Sequence, residues 1–228
     1  MRMPYVPPQR SSPDVRSFLE YLFHLIWPVS CPVCGRLAVI VCDACLISLL
    51  HPPSPFCLEC GGPYPCEEHP QGPPVLAASL YPGKSRKLIA SLKYRGGRDI
   101  GHKMGVAMGN LFYPPSADFL VPIPLHLESK RGYNQSKLIA EGLSSVWGIP
   151  TRDFLRWQHR TKRQTTRTAQ ERKQISSDAF QTLSGCHGSI VLVDDISTTG
   201  STLQAAAAAI IRDGGSVRGG IVWGRRSR

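Results

Sequence analysis

No apolar run in this chain of 228 residues is long enough to cross a bilayer. A membrane-spanning helix needs about 20 consecutive apolar residues. The strongest candidate, Phe18-Leu-Glu-Tyr-Leu-Phe-His-Leu-Ile-Trp27, is short and broken by Glu20 and His24. No signal-peptide cleavage pattern follows it. It reads as an amphipathic helix covering part of a core, and a cytoplasmic location without a membrane span is expected. Also missing are a G-x-x-x-x-G-K-S/T loop, which weighs against a P-loop nucleotidase, and any internal repeat of a whole domain. A hydrophobic fraction of 42% with 19% charged residues excludes wholesale disorder.

Acidic residues are scarce, and unevenly so. Residues 1–70 carry four Lys/Arg against six Asp/Glu, whereas residues 71–228 carry 23 against 10, so the net +11 resides in the C-terminal two-thirds. A basic region of that size attracts polyanions, either nucleic acid or a phosphorylated small molecule, unless it is simply a solvated surface.

Three regions follow from composition. Residues 1–30 form a proline-rich tail and the apolar helix. Residues 31–70 hold most of the cysteines and many prolines, and residues 75–228 alternate strand and helix patterns. In the last region, strands are expected at Val75–Tyr81, Phe119–Ile123, near Phe154–Trp157, at Ser189–Val193 and at Val217–Trp223, the last closing the sheet. Helices are expected at Ser85–Lys93, Ile100–Leu111, Gln135–Trp147 (ending at Gly148) and Thr202–Arg212. The fully apolar run Ser189-Ile-Val-Leu-Val193 suits a strand buried on both faces. Such alternation predicts an α/β fold, a mostly parallel sheet flanked by helices on both faces, carrying a small N-terminal zinc-binding module.

That module is inferred from spacing. Seven of the eight cysteines fall between 31 and 66, as Cys31-x2-Cys34, Cys42-x2-Cys45, Cys57-x2-Cys60 and Cys66-x2-His69. Each C-x2-C pair presents two thiolates to one tetrahedral metal, and Gly35 and Gly61 suit the turns after such pairs. Eight ligands are enough for two structural Zn²⁺ ions, and sequential pairing (31/34/42/45, then 57/60/66/69) is preferred over interleaving. An iron–sulfur cluster is disfavoured by His69, and disulfides by a reducing compartment. Cys186, outside the set, reads as a small buried residue.

The segment Val191-Leu-Val-Asp-Asp-Ile-Ser-Thr-Thr-Gly-Ser-Thr202 runs from a buried strand through an acid pair into a helix. Backbone N–H groups at a helix N-terminus lack intrahelical partners and face a positive dipole end, which suits a phosphate. Gly200 lets the backbone approach closely, and Thr198, Thr199, Ser201 and Thr202 add hydroxyls. Two acids beside a phosphate loop repel the phosphate, so they make sense as acceptors for nearby hydroxyls. A phosphorylated sugar therefore fits better than inorganic phosphate or a nucleoside triphosphate. The plain alternative is a strand-to-helix turn with an acidic cap.

This string resembles the signature of type I phosphoribosyltransferases. The resemblance implies that Asp194 and Asp195 hold ribose hydroxyls, that Ser197, Thr198, Thr199, Gly200, Ser201 and Thr202 wrap the 5-phosphate of phosphoribosyl pyrophosphate, and that Mg²⁺ sits on the pyrophosphate. Val121-Pro-Ile-Pro-Leu-His126 with Arg131-Gly-Tyr-Asn-Gln-Ser136, Leu92-Lys-Tyr-Arg-Gly96, the Arg160–Phe180 stretch and the cysteine pairs extend the likeness to the ComF family, from about Phe18 to Trp223. On that resemblance Pro124, Leu125, His126 and Arg131 belong to the pyrophosphate loop. The stretch Leu125–Arg131 departs from the family in being short and carrying Glu128. ComF proteins are associated with natural competence. This implies a cytoplasmic protein handling incoming single-stranded DNA, beside a competence helicase.

Residues 152–173 hold eight Lys/Arg and only Asp153 and Glu171 as acids. By position this stretch corresponds to the loop that closes over a phosphoribosyltransferase site, with Arg160, Arg163, Arg167 and Arg172 facing the leaving pyrophosphate. It also suits tracking of a nucleic-acid backbone, with Trp157 and Tyr133 as stacking platforms, or a solvated loop. Two functions remain open on sequence grounds. One is an active phosphoribosyltransferase acting on an unidentified base or amine. The other is a binding protein for the sugar phosphate and for single-stranded DNA in DNA uptake. A glutamine-dependent amidotransferase is not expected, because the chain starts Met1-Arg2-Met3 without an ammonia-producing domain.

Overall fold

The computed structural model describes residues 29–81, 83–92, 97–126, 129, 132–158, 178–183 and 185–226. The expected Phe18–Trp27 helix and the pyrophosphate- and closing-loop arginines Arg131, Arg160, Arg163, Arg167 and Arg172 lie outside these residues. In chain order the elements are α1 (Asp43–Ile47), β1 (Phe56–Cys57), β2 (Pro74–Tyr81), α2 (Lys84–Ser91), α3 (Gly97–Leu111), β3 (Phe119–Pro122), α4 (Gln135–Trp147), β4 (Leu155–Trp157), β5 (Phe180–Thr182), β6 (Ser189–Ser197), α5 (Ser201–Arg212) and β7 (Ser216–Arg226).

Five strands form one sheet in the order β1-β2-β7-β6-β3. The pairs β2·β7, β7·β6 and β6·β3 are parallel, and only β1 joins antiparallel. Central strands of such a sheet are covered on both faces, and β6 shows it: Ile190, Val191, Leu192 and Val193 are all buried. Their side chains alternate, Val191 and Val193 joining the core under α2, α3 and α4, Ile190 and Leu192 the core under α5. Each such side chain contributes roughly 1.5–3 kcal/mol by leaving water. The α/β architecture with helices on both faces is the one the alternation predicts.

Three details differ from the sequence reading. Strand β7 does not close an edge but runs through the sheet between β2 and β6. Strand β6 continues through the acid pair, with Asp194 opposite Val222 and Ser197 opposite Arg225. The strand at Leu155–Trp157 leaves the main sheet and pairs antiparallel with β5. In addition, the edge strand β1 lies inside the cysteine region.

Helices α3 and α4 cross at matched small residues. A Cβ built on Gly105 would lie 2.8 Å from Gly142 Cα and 2.9 Å from the Leu143 amide nitrogen, with the Ile139 carbonyl closer still. All of these are backbone atoms that cannot swing aside, so the two helices must separate to admit even a methyl group. Gly105→Ala is expected to destabilise the fold by about 1–3 kcal/mol. A thermal midpoint unchanged in scanning calorimetry would show that the crossing yields instead.

Candidate functional site: an acid pair and its loop, and two cysteine groups

At the C-terminal end of β6 the two acids meet different surroundings. Asp194 is 8% exposed, and its Oδ1 accepts from Ser136 Oγ at 2.8 Å and from the Asp195 amide at 2.8 Å. Burial, then the adjacent Asp195 charge, pushes the Asp194 carboxyl well above the usual range, and the Ser136 hydroxyl opposes this only in part. Asp195 is half-buried. Asp194 is thus held by two hydrogen bonds to one oxygen, whereas Asp195 is partly exposed.

The loop after them turns on Gly200, whose φ of 85° lies in the left-handed region that favours glycine. The first bond of α5 runs from the Gln204 amide to the Gly200 carbonyl at 3.0 Å. Helical geometry leaves the amides of the first turn directed outward, and no acid occupies that turn. Thr198 and Thr199 are exposed, Ser201 and Thr202 half-buried, and Ser197 is buried. Thr199 Oγ1 and Ser201 Oγ lie 3.0 Å apart.

The expected pyrophosphate loop leaves β3 beside this site, because Pro122 pairs with Val193 and the Ile123 amide donates to the Val193 carbonyl at 2.9 Å. Asn134 closes that loop. Its Oδ1 caps α4 by accepting from the Ser136 amide at 3.1 Å, and its Nδ2 donates to the Ile123 carbonyl at 2.9 Å. Pro124, Leu125 and His126 follow Ile123, in a segment whose ends at Ile123 and Asn134 are joined by that bond. Trp157 joins them: its indole N–H donates to the Pro124 carbonyl at 2.9 Å. Its ring centroid lies 4.9 Å from that of His126 and 4.3 Å from that of Phe180.

Trp157 opposes Phe180 in the β4·β5 ladder. The basic stretch between them thus departs and returns at one point next to Pro124 and His126. Trp157 and Tyr133, expected as stacking platforms, are both half-buried and each makes contacts within the protein. Tyr133 donates its hydroxyl to the Leu92 carbonyl and carries Arg98 5.2 Å above its ring.

Among the described residues, two groups could hold a metal ion: Cys31, Cys34, Cys42 and Cys45, and Cys57, Cys60, Cys66 and His69. Within each group all donor atoms lie within 4.8 Å of one another. A tetrahedral zinc with Zn–S bonds near 2.3 Å spaces its sulfurs about 3.8 Å apart. Cys34 and Cys42 Sγ are 3.7 Å apart, Cys60 and Cys66 Sγ 3.6 Å, and Cys66 Sγ and His69 Nδ1 3.6 Å.

Both first pairs are followed by the same turn. Gly35 (φ 78°) and Gly61 (φ 72°) donate their amides to Cys31 and Cys57 carbonyls, each at 2.8 Å. The four thiols of the first group cannot all ionise unaided. Burial raises Cys31, yet amides of Cys42, Cys34 and Val33 outweigh it and bring that thiol to about 6, while its sulfur neighbours push Cys45 up to about 12. A divalent cation removes that conflict, so the donor set fits zinc. The two donor groups fall in the sequential order the spacing suggests. Cys186 is fully buried, and burial pushes its thiol up to about 11, which suits packing and not nucleophilic chemistry.

Proteins similar to this chain carry competence and DNA-utilization names. The chain is similar to the competence protein ComFC of Bacillus subtilis (strain 168), 29% identical over 143 residues, covering 59% of this chain and 56% of that protein. It is also similar to the DNA utilization protein YhgH of Salmonella typhi, 28% identical over 207 residues, and to that of Salmonella typhimurium (strain LT2), 29% identical over 206 residues. Both of these cover 81% of this chain and 85% of the relative. No family model matches the chain. These relatives bear out the ComF resemblance.

The segment Arg131–Ser136 holds two residues whose roles the sequence pattern alone does not announce, Asn134 and Ser136. Only the cap made by Asn134 was findable, as an asparagine directly before a periodic helix is a cap signal. Ser136 was not, because its partner Asp194 is far along the chain. Gln135, beside them, is 4% exposed and its Nε2 has no hydrogen-bond partner among the described residues.

Proposed function

We propose that this ComF-like chain binds phosphoribosyl pyrophosphate with Mg²⁺ at Asp194–Thr202, binds single-stranded DNA through its basic region, and acts in DNA uptake or utilization. Residues 31–70 serve as the zinc-bearing module and 75–228 as the phosphoribosyltransferase-like ligand domain. The observation that carries the ligand reading is the sequence of environments along one strand end. An acid held by Ser136, a half-buried acid, a left-handed glycine and an acid-free helix start follow one another within Asp194–Thr202.

In this reading Asp195 and Asp194 accept from ribose hydroxyls, while the loop amides and the Thr198, Thr199, Ser201 and Thr202 hydroxyls donate to the 5-phosphate. Magnesium would accompany the pyrophosphate and offset part of its charge. Pro124, Leu125 and His126 border that end of the ligand, and Arg131, Arg160, Arg163, Arg167 and Arg172 supply cations to it. The DNA reading is supported by the names of the relatives and by the excess of 23 Lys/Arg over 10 Asp/Glu in residues 71–228. A helicase active on incoming DNA is the partner class this implies.

A second reading, active transfer of ribose 5-phosphate to a base or amine, is favoured by one observation. Strands β4 and β5 anchor the basic stretch at Trp157 and Phe180, beside the expected pyrophosphate loop, where cations would meet the charge of a departing pyrophosphate.

Calorimetric titration of phosphoribosyl pyrophosphate with Mg²⁺ tests the ligand reading, and saturable one-to-one binding is expected. Absence of heat and of competition by pyrophosphate would refute it. Fluorescence anisotropy with a labelled oligothymidylate tests the DNA reading. Affinity should fall linearly on a log–log plot against salt, with a slope of about −0.7 for each phosphate neutralised. A salt-independent signal, or none at low salt, would remove DNA from the proposal.

A further inference from the structure

The second metal group is built into the same corner of the fold as the phosphate loop. Cys57 lies in β1, paired with Pro74 of β2. Glu59, between the knuckle cysteines Cys57 and Cys60, faces two ways. Its carboxylate oxygen is 3.7 Å from His69 Nε2, while His69 Nδ1 is the nitrogen turned to Cys66 Sγ at 3.6 Å. A carboxylate on the distal nitrogen of a ligating histidine fixes the ring's tautomer and orientation. The Glu59 backbone carbonyl accepts from Gln204 Nε2 at 3.0 Å. Gln204 belongs to the first turns of α5, and its own amide makes the first helical bond, to Gly200.

A second tie runs parallel to this one. Arg225 pairs in register with Ser197, at the start of the loop. Its guanidinium donates to the Gly61 and Ser54 carbonyls, each at 3.3 Å, and lies 4.1 Å over the Phe56 ring. Both ends of the Ser197–Thr202 loop are therefore held to the backbone of one metal knuckle. The first group is tied elsewhere: Asp43, beside Cys42, bonds Lys103 of α3 at 3.0 Å, and Leu46 and Leu49 enter the core under α3 and α4.

We infer that Glu59 and Gln204 couple metal occupancy of the Cys57/Cys60/Cys66/His69 group to the binding competence of the phosphate loop. The knuckle splints the helix start that receives the phosphate, and Gln204 is the positioning residue that transmits it. This rests on the sugar-phosphate reading above. Linkage makes the effect reciprocal: whatever factor the metal adds to ligand affinity, the ligand adds to metal affinity.

The test uses the full-length zinc-loaded protein, a zinc-selective chromogenic chelator and phosphoribosyl pyrophosphate with Mg²⁺. The release phase of the second group is identified as the one missing in Cys66→Ser. The ligand should slow that phase several-fold and leave the other unchanged. In Gln204→Met, which keeps length and helix propensity but loses the N–H donor, zinc should stay bound, the ligand should no longer slow release, and ligand affinity should fall several-fold. Wild type that binds the ligand but releases both ions at unaltered rates overturns the inference.

Wild type that fails to bind the ligand refutes the sugar-phosphate reading instead, and hydrogen exchange then decides the coupling. Cys66→Ser should speed exchange at the amides of 198–204 well beyond Cys34→Ser. Equal protection in the two variants overturns the coupling.

Discussion

Replacing Asp194 and Asp195 together by asparagine is expected to raise the dissociation constant for phosphoribosyl pyrophosphate at least 100-fold while the protein stays folded. Hydrogen bonds to charged groups contribute about 1.5–3 kcal/mol each, and two lost acceptors for ribose hydroxyls give about 3–6 kcal/mol. Asparagine preserves the shape and one acceptor oxygen, so the Ser136 contact survives. Calorimetry on the double variant decides the matter, and an unchanged constant would remove both acids from the ligand's contacts.

Stability should move the other way for the single Asp194→Asn variant. Because burial and Asp195 raise the folded-state pKa of Asp194, its stabilising contribution is complete below the unfolded value of about 3.9 and is lost as pH rises through the folded value. Asparagine does not titrate. Its thermal midpoint relative to wild type should therefore climb with pH across that interval and then level off. A midpoint difference flat from pH 4 to 8 would contradict the strained carboxylate.

Stripping the metal should have the larger structural effect. Metal analysis is expected to find two zinc ions per chain, one in Cys42→Ser, one in Cys57→Ser and none in the double variant. Residues 31–70 have few buried apolar side chains of their own, chiefly Val41, Leu46, Leu49, Phe56 and Leu58, and a segment so poor in core would depend on a bound metal for folding. Leu46 and Leu49 pack into the core under α3 and α4, and Phe56 and Leu58 into the core under α5, so the loss spreads inward from both groups. A stability loss of about 3 kcal/mol or more is expected, or roughly 6–12 °C in midpoint for a chain of this size. Full retention of the midpoint after chelation, with zinc shown to be gone, would refute a structural role.

The parts of this fold that were legible in the sequence are those governed by local chemistry. Helix α4 carries an asparagine cap, a periodic apolar face and a terminating Gly148 at φ 72°, and its limits match the sequence pattern. The metal groups were legible because C-x2-C spacing is itself a geometric constraint. Strand β6 was legible only as far as its apolar run, since Asp194 and Asp195 carry no strand signal. Their extended backbone is imposed by pairing with Val222 and its neighbours in β7.

Nothing within Val217–Trp223 distinguishes a central strand from an edge, because strand order is set by crossovers. The Ser136–Asp194 bond and the Gln204–Glu59 bond join residues 58 and 145 positions apart, and no local pattern announces either. The site was therefore visible as a motif, while its supports came from the fold.

The pairing of Trp157 with Phe180 also bears on how this protein can evolve. The ends of the basic stretch are brought together by β4 and β5, by the Phe119–Phe154 contact with centroids 5.3 Å apart, and by the Trp157–Pro124 bond, whatever the stretch itself contains. Closure entropy rises only slowly with length, about 0.6 kcal/mol for a doubling. Insertions and deletions between these two aromatics are accordingly expected to cost the sheet little.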